Sequence, residues 1–158
     1  MSAQFSVHFS KNGMYFLEFD QKIIKNLKTV RFNTLRCHEE VIFERKESLI
    51  FYLKSLMPDL IVPSLIACIE TNTIIDGHHR FHALKELGLQ SVPVTFIDYH
   101  SDLIKPYFDD RISKNEILKA SKDLCLLPPK SSKHVIYDSD SQKWVPIHLI
   151  SSLYSYSI

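Results

Sequence analysis

The residues best equipped for chemistry in this chain stand together at Asp76-Gly77-His78-His79-Arg80. Ile74 and Ile75 lead into them, and Phe81, Leu84 and Leu87 follow at helical spacing. That order is a strand ending, a glycine permitting a tight turn, and a helix beginning. The free N–H groups at a helix start point outward, and the helix dipole favours an anion there. His78, His79 and Arg80 add side-chain donors, and a guanidinium grips phosphate oxygens with a two-pronged fork. Asp76 does not bind phosphate directly; its use is to hold Mg²⁺ or to orient a hydroxyl. The pattern points to a phosphate site built from Gly77, His78, His79 and Arg80, with Asp76 beside it. Two other readings stay open on the residues alone. Asp-Gly is an ordinary turn and cap pair. His78 and His82 are four apart and could share a helix face as zinc ligands, but there is no HExxH and no obvious third ligand nearby.

The elements that must position this segment follow from the pattern around it. Residues 63–69 form an apolar run of strand length, Thr71-Asn72-Thr73 turns the chain, and a helix begins after Gly77. Gly88 sits where such a helix stops in the left-handed conformation, and residues 92–97 make a further buried strand. Strand, turn, helix and strand over 63–97 constitute an α/β unit. Upstream, Asn12-Gly13 between two aromatic-rich runs, 5–10 and 14–19, predicts a β-hairpin. Residues 28–35 predict a strand. Residues 44–57 predict a helix with Leu49, Ile50, Leu53, Leu56 and Met57 along one stripe, ended by Pro58. Downstream, Ser113 and Glu116 form a capping box for a helix over 113–122. Two prolines exclude a regular element from Leu127 to His134. Val135–Tyr137 predicts a strand, and residues 151–158 are expected to fray.

Bulk composition narrows the function classes. The chain has 158 residues, 45% of them apolar and 23% charged, enough for one compact domain with a core. A formal charge of +1 gives no electrostatic push toward nucleic acid. Cys37, Cys68 and Cys125 form no CxxC pair, and an odd count closes no disulfide framework. A reduced compartment, with the cytoplasm as default, is the natural expectation. The first residues lack a signal-peptide pattern, and no apolar stretch approaches membrane-spanning length. Neither GxxxxGK[ST] nor a kinase-type Gly-rich loop is present, which sets aside the commoner phosphotransferase classes.

The stretch IIDGHHRFHALKELGLQSVPV resembles the signature of the ParB/sulfiredoxin-like superfamily. Its DGHHR turn is more similar to the free serine kinases of that superfamily than to the DNA-partitioning branch, which tends to carry a G-E-R-R type motif there. The sulfiredoxin branch keeps a reactive cysteine in the turn; residues 76–80 contain none. Two further blocks follow the same resemblance. Leu35-Arg36-Cys37-His38-Glu39-Glu40-Val41 is similar to a strand end followed by His-Glu, in which the glutamate after the histidine is the base that deprotonates serine; here that is Glu39. Leu127-Pro128-Pro129-Lys130-Ser131-Ser132-Lys133-His134 is similar to the family's P-P-K-T-T-R-H block, with Lys133 in place of the arginine. The resemblance covers roughly residues 28–150, and the chain is shorter than the family between the DGHHR turn and the P-P-K block.

The resemblance implies an α/β (α+β) fold: a single ParB/sulfiredoxin-like domain over 1–158, with a mixed sheet and a few flanking helices. Residues 1–27 would be an N-terminal hairpin extension, 28–100 a nucleotide-binding core and 101–150 the substrate side. It implies phosphoryl transfer from ADP or ATP, with Mg²⁺, to free L-serine. Glu39 and Asp76 would be catalytic, with Asp76 the Mg²⁺ ligand. Gly77, His78, His79 and Arg80 would hold the nucleotide phosphates. Lys130, Ser131, Ser132, Lys133 and His134 would hold the amino acid and the transferred group. Small molecules are the expected partners, without nucleic acid or membrane. A non-catalytic ParB-like module, binding nucleotide or associated with DNA, is the alternative. The sequence also sets its own geometric test: Glu39 should share a cavity with Asp76 and Lys130, and Glu40 should not.

Overall fold

The computed structural model describes residues 17–158. The hairpin expected over 5–19 lies outside the described residues except for Leu17, Glu18 and Phe19, which are in neither helix nor strand. Twelve helices and strands follow, joined by 3₁₀ turns. They are β1 (Ile24–Arg31), α1 (Phe43–Ser55), β2 (Asp59–Pro63), β3 (Leu65–Cys68), β4 (Ile74–Asp76) and α2 (His78–Glu86). The second half contributes β5 (Ser91–Ile97), β6 (Ile104–Pro106), α3 (Lys114–Lys122), β7 (His134–Asp138), β8 (Lys143–Pro146) and β9 (Leu153–Ser157).

The central sheet is mixed, in the order β1-β5-β3-β4. β3 and β5 run parallel, joined through β4 and α2, while β1 and β4 pair antiparallel at the two edges. Strand geometry explains why this sheet carries two cores. Successive side chains point to opposite faces, so Leu65 and Ala67 of β3 join Ile74, Val92, Val94 and Phe96 on one side. There they meet Ile50 and Leu53 of α1 and Phe81, Ala83 and Leu84 of α2. Ile66 and Cys68 face the other way, with Ile75, Ile97, Tyr99, Ile104 and Ile136. That second core is covered by the antiparallel sheet β6-β7-β8. The result is a mixed α+β architecture with helices on one face of the central sheet and a small sheet on the other. Among the described residues no helix is long and apolar enough to cross a membrane.

Two expectations are corrected. The strand predicted over 28–35 lies at 24–31, and Phe32–Thr34 form a 3₁₀ turn that drops Phe32 and Leu35 into the helix-side core. The C-terminal segment does not fray: β9 pairs antiparallel with β2 from Asp59↔Ser157 to Pro63↔Leu153. Alternate burial of Leu60 and Val62 fixes that ribbon to the core, and the Tyr156 hydroxyl donates to the Ser91 carbonyl at 2.8 Å.

Candidate active site

The turn between β4 and α2 is set by its glycine. Gly77 has φ +103° and is the N-cap of α2, a backbone position that side chains with a Cβ rarely adopt. A Cβ here would also stand 2.6 Å from a Leu65 methyl and 2.9 Å from Arg80 Nη2. No side chain caps α2. The N–H groups of its first turn therefore keep their capacity for an anion.

A second segment, His38–Glu40, is laced beside this turn by backbone bonds. Arg36 N–H donates to Asn72 O, Ile74 N–H to Arg36 O, Leu127 N–H to His38 O, and Glu40 N–H to Leu127 O. The same ladder brings in the third segment, Pro128–His134, which runs from Leu127 into β7. The loop then closes on a single carboxylate. Glu39 Oε1 accepts from Lys130 N–H at 2.7 Å, and Oε2 accepts from Ser132 N–H at 3.1 Å and Ser132 Oγ at 2.6 Å. A carboxylate offers about four acceptor sites, so three donors leave one, on Oε1. Lys130 holds a left-handed φ of +63° to present its N–H, a strain on the order of 1–3 kcal/mol that these charge-assisted bonds offset.

The three segments enclose one cavity of about 290 Å³, lined by Glu39, Asp76, Gly77, His78, His79, Arg80, Lys130, Ser132, Lys133 and His134, among others. Glu39 is 7% exposed and lines this cavity with Asp76 and Lys130. Glu40, its neighbour, is exposed and does not. A second cavity of about 540 Å³ adjoins the first through Asp76, Lys130, Lys133, His134 and His148, and adds Tyr107, Trp144 and Pro146. Sequence reasoning missed His148, which borders both cavities, and Trp144 and Tyr107, which give the second its aromatic walls. Their distance from every motif left no local signal to find them.

Individual side chains are engaged in particular ways. Arg80 Nη2 donates to Ser64 O at 2.9 Å and lies 3.7 Å from Asp76 Oδ2, so the guanidinium braces the turn between β4 and α2 from beneath. Its Nε is buried without a partner. His78 Nε2 accepts from His38 N–H at 3.3 Å, and burial holds its pKa well below the histidine range. His79 Nε2 accepts from Ile42 N–H at 2.9 Å, at the start of α1, docking that helix to α2. His134 Nε2 meets the Tyr99 hydroxyl at 2.8 Å, and burial pushes its pKa down to about 3. These histidines are neutral near pH 7 and act as dipoles; the formal positive charges on the cavity wall are Lys130, Lys133 and Arg80. Ser131 is a correction: it does not line the cavity, because its hydroxyl turns back to the Pro128 carbonyl at 2.6 Å and closes the loop. His82 does not share a face with His78 as a ligand pair; its Nε2 contacts Cys37 Sγ at 3.7 Å. Among the described residues no group of three or more His, Cys, Asp or Glu side chains is placed to hold a metal. A lone carboxylate still suits Mg²⁺, which is commonly held by one or two carboxylates together with substrate phosphates.

No family model matches the chain. It is similar to an ATP-dependent L-serine kinase of Staphylothermus marinus, with 38% identity over 72 residues, 43% of this chain and 28% of that protein. An ADP-dependent L-serine kinase, SerK, of Thermococcus kodakarensis is 29% identical over 83 residues, 49% of this chain and 33% of that one. A ParB-like protein of Sulfolobus acidocaldarius is 35% identical over 71 residues, 45% of this chain and 34% of that one. The matched stretches thus span about a third or less of the length of these relatives. Among solved structures, a free serine kinase in complex with AMP aligns with TM-score 0.46 and 24% identity, over 60% of this chain and 39% of that one.

Proposed function

We propose that this chain is a free serine kinase of the ParB/sulfiredoxin-like kind, transferring a phosphoryl group from ADP or ATP to the hydroxyl of L-serine. The observation that carries this reading is the convergence of Glu39, Asp76 and Lys130 on one cavity, with Glu40 turned out. Three sequence blocks far apart in the chain meet there around an uncapped helix start. The resemblance to named L-serine kinases supports the same reaction.

Phosphoryl transfer asks a protein mainly for positioning and for neutralisation of charge. The N–H groups at Gly77, His78 and His79 would receive the nucleotide phosphates, with Lys130 and Lys133 supplying positive charge at the cavity wall. Arg80 contributes by holding Asp76 in place and by its own charge. Asp76 would hold Mg²⁺, whose contribution is to neutralise charge on the phosphates. Glu39 has one acceptor site left on Oε1, and that site would take the proton of the serine hydroxyl. Ser132 and His134 shape the wall on the serine side, and Ser131 keeps their loop closed. Because the site takes two small molecules, we expect neither nucleic acid nor a membrane as partner. The three free cysteines suit the cytoplasm. The test is incubation of the chain with L-serine, Mg²⁺ and either ATP or ADP, with detection of O-phosphoserine. Nucleotide binding without product would favour the non-catalytic ParB-like alternative.

A further inference from the structure

Behind Glu39 runs a buried chain of hydrogen bonds that the reaction as described does not use. His38 is fully buried, and its Nδ1 lies 2.7 Å from the Ile74 carbonyl. A carbonyl only accepts, so Nδ1 carries a proton. His38 Nε2 lies 2.5 Å from Ser132 Oγ, and Ser132 Oγ lies 2.6 Å from Glu39 Oε2. Ser132 has one hydroxyl proton and two close neighbours. With a neutral His38 and an ionised Glu39, neither neighbour brings a proton of its own. One of the two contacts would then set lone pair against lone pair. One further proton removes the conflict. If it sits on His38 Nε2, the imidazolium donates to Ser132 Oγ, Ser132 donates to Glu39 Oε2, and every contact in the chain is satisfied with Glu39 still ionised.

We propose that His38 is a positioning residue that carries this extra proton at rest and, through Ser132, holds Glu39 as a bare carboxylate facing the acceptor hydroxyl. The inference rests on Glu39 being the base. In the transfer, the O–H bond of the acceptor breaks and its proton passes to Glu39 Oε1. The oxygen forms a bond to phosphorus as the P–O bond to the departing adenine nucleotide breaks. The His38–Ser132 arm keeps Oε2 occupied throughout, so Oε1 alone receives the proton. The groups around the His38 ring bear on its charge in both directions. His78 on α2 and His134 at the start of β7 face it at 4.5 and 6.0 Å between ring centres, and burial keeps both neutral. Burial is the largest influence on His38 and lowers its pKa from the ordinary histidine value, with the Ile74 carbonyl and Glu39 opposing it only in part, so the contact with Ser132 is what must hold the extra proton.

The test is ¹⁵N NMR of the histidine rings in the full chain near pH 7, without substrates. In the wild type both His38 ring nitrogens are expected to be protonated. In Glu39→Gln the Nε2 proton is expected to be lost, leaving the neutral Nδ1–H form, because the negative partner is gone. A wild-type spectrum with Nε2 unprotonated overturns the proposal, and that spectrum decides even if the variant fails to fold. So does an Nε2 proton that persists unchanged in Glu39→Gln. Ser132→Thr, which keeps the hydroxyl, should preserve the wild-type pattern, and Ser132→Ala should lose it. Since no turnover is read, the outcome is independent of whether the chain phosphorylates serine.

Discussion

Glu39 and Glu40 are adjacent and chemically identical, and the fold separates them. Glu39 accepts from Lys130 and Ser132 inside the cavity; Glu40 is exposed. Removing a general base typically costs about 10²–10⁴ in rate. Glu39→Gln should therefore lower kcat by that range while nucleotide affinity, measured by calorimetry, stays near wild type. Glu40→Gln should leave kcat unchanged. A carboxylate that holds a metal or a hydroxyl matters most in the transition state, so Asp76→Asn should lower kcat more than it weakens nucleotide binding. Wild-type turnover in Asp76→Asn would reduce that residue to a turn former. Which residues share the cavity was legible at this scale, since Asp76, Glu39 and Lys130 stand in motifs. The duties of the histidines and of Arg80 were not. Side-chain direction within a helix's first turn depends on what packs beneath it, and Ser64, Ile42 and His38 are remote in sequence from the residues they receive.

At the level of elements, the site depends on how α2 begins. Gly77 combines a left-handed φ with close contact to Leu65 and Arg80. Gly77→Ala should destabilise the chain on the order of 1–3 kcal/mol for the backbone alone, seen as a lower midpoint in urea. It should also weaken nucleotide binding, because the added methyl displaces Arg80 from beneath the turn. Unchanged stability would mean that the turn adapts to a Cβ freely. Helices announced themselves locally. The Ser113/Glu116 capping box is present, with Glu116 Oε2 accepting from Ser113 N–H at 2.7 Å and Ser113 Oγ accepting from Glu116 N–H at 3.2 Å. Gly88 closes α2 with φ +82°. Strands that depend on distant partners were harder to read. β2 follows directly on Pro58, and its partner β9 is a short Ser/Tyr segment with little apolar character. Each looks like loop until the other is placed beside it. The alternation of Tyr154 and Tyr156 with serines was the available signal.

Across the whole molecule, stability draws on buried polar groups both at the cavity and away from it. Tyr156 ties β9 to the end of the central sheet, and losing its bond to Ser91 O should cost roughly 0.5–1.5 kcal/mol. Tyr156→Phe should therefore lower Tm by a few degrees, at about 2–4 °C per kcal/mol for a chain of this size. It should leave kcat intact, because the ribbon lies away from the cavity. Acid should act through His134. Its pKa falls from 6.5 to about 3 on folding because burial disfavours the charged ring. The unfolded chain then binds more protons between those values, so stability contributed by the neutral ring is full above pH 6.5 and is lost as pH falls toward 3. At pH 5 that loss should reach about 2 kcal/mol relative to neutral pH, measured by urea unfolding, and His134→Gln should flatten the dependence. The cavity that joins these parts exists only in the assembled fold, since its walls come from residues 39, 76–80, 130 and 132–134. The most direct measurement of what that cavity does is the appearance of O-phosphoserine, followed by ³¹P NMR, when the chain meets L-serine, Mg²⁺ and ATP or ADP. Product formed by the wild type and by Glu40→Gln, and reduced at least a hundredfold in Glu39→Gln, is the predicted result; no product with either nucleotide, or equal product from Glu39→Gln, would contradict it.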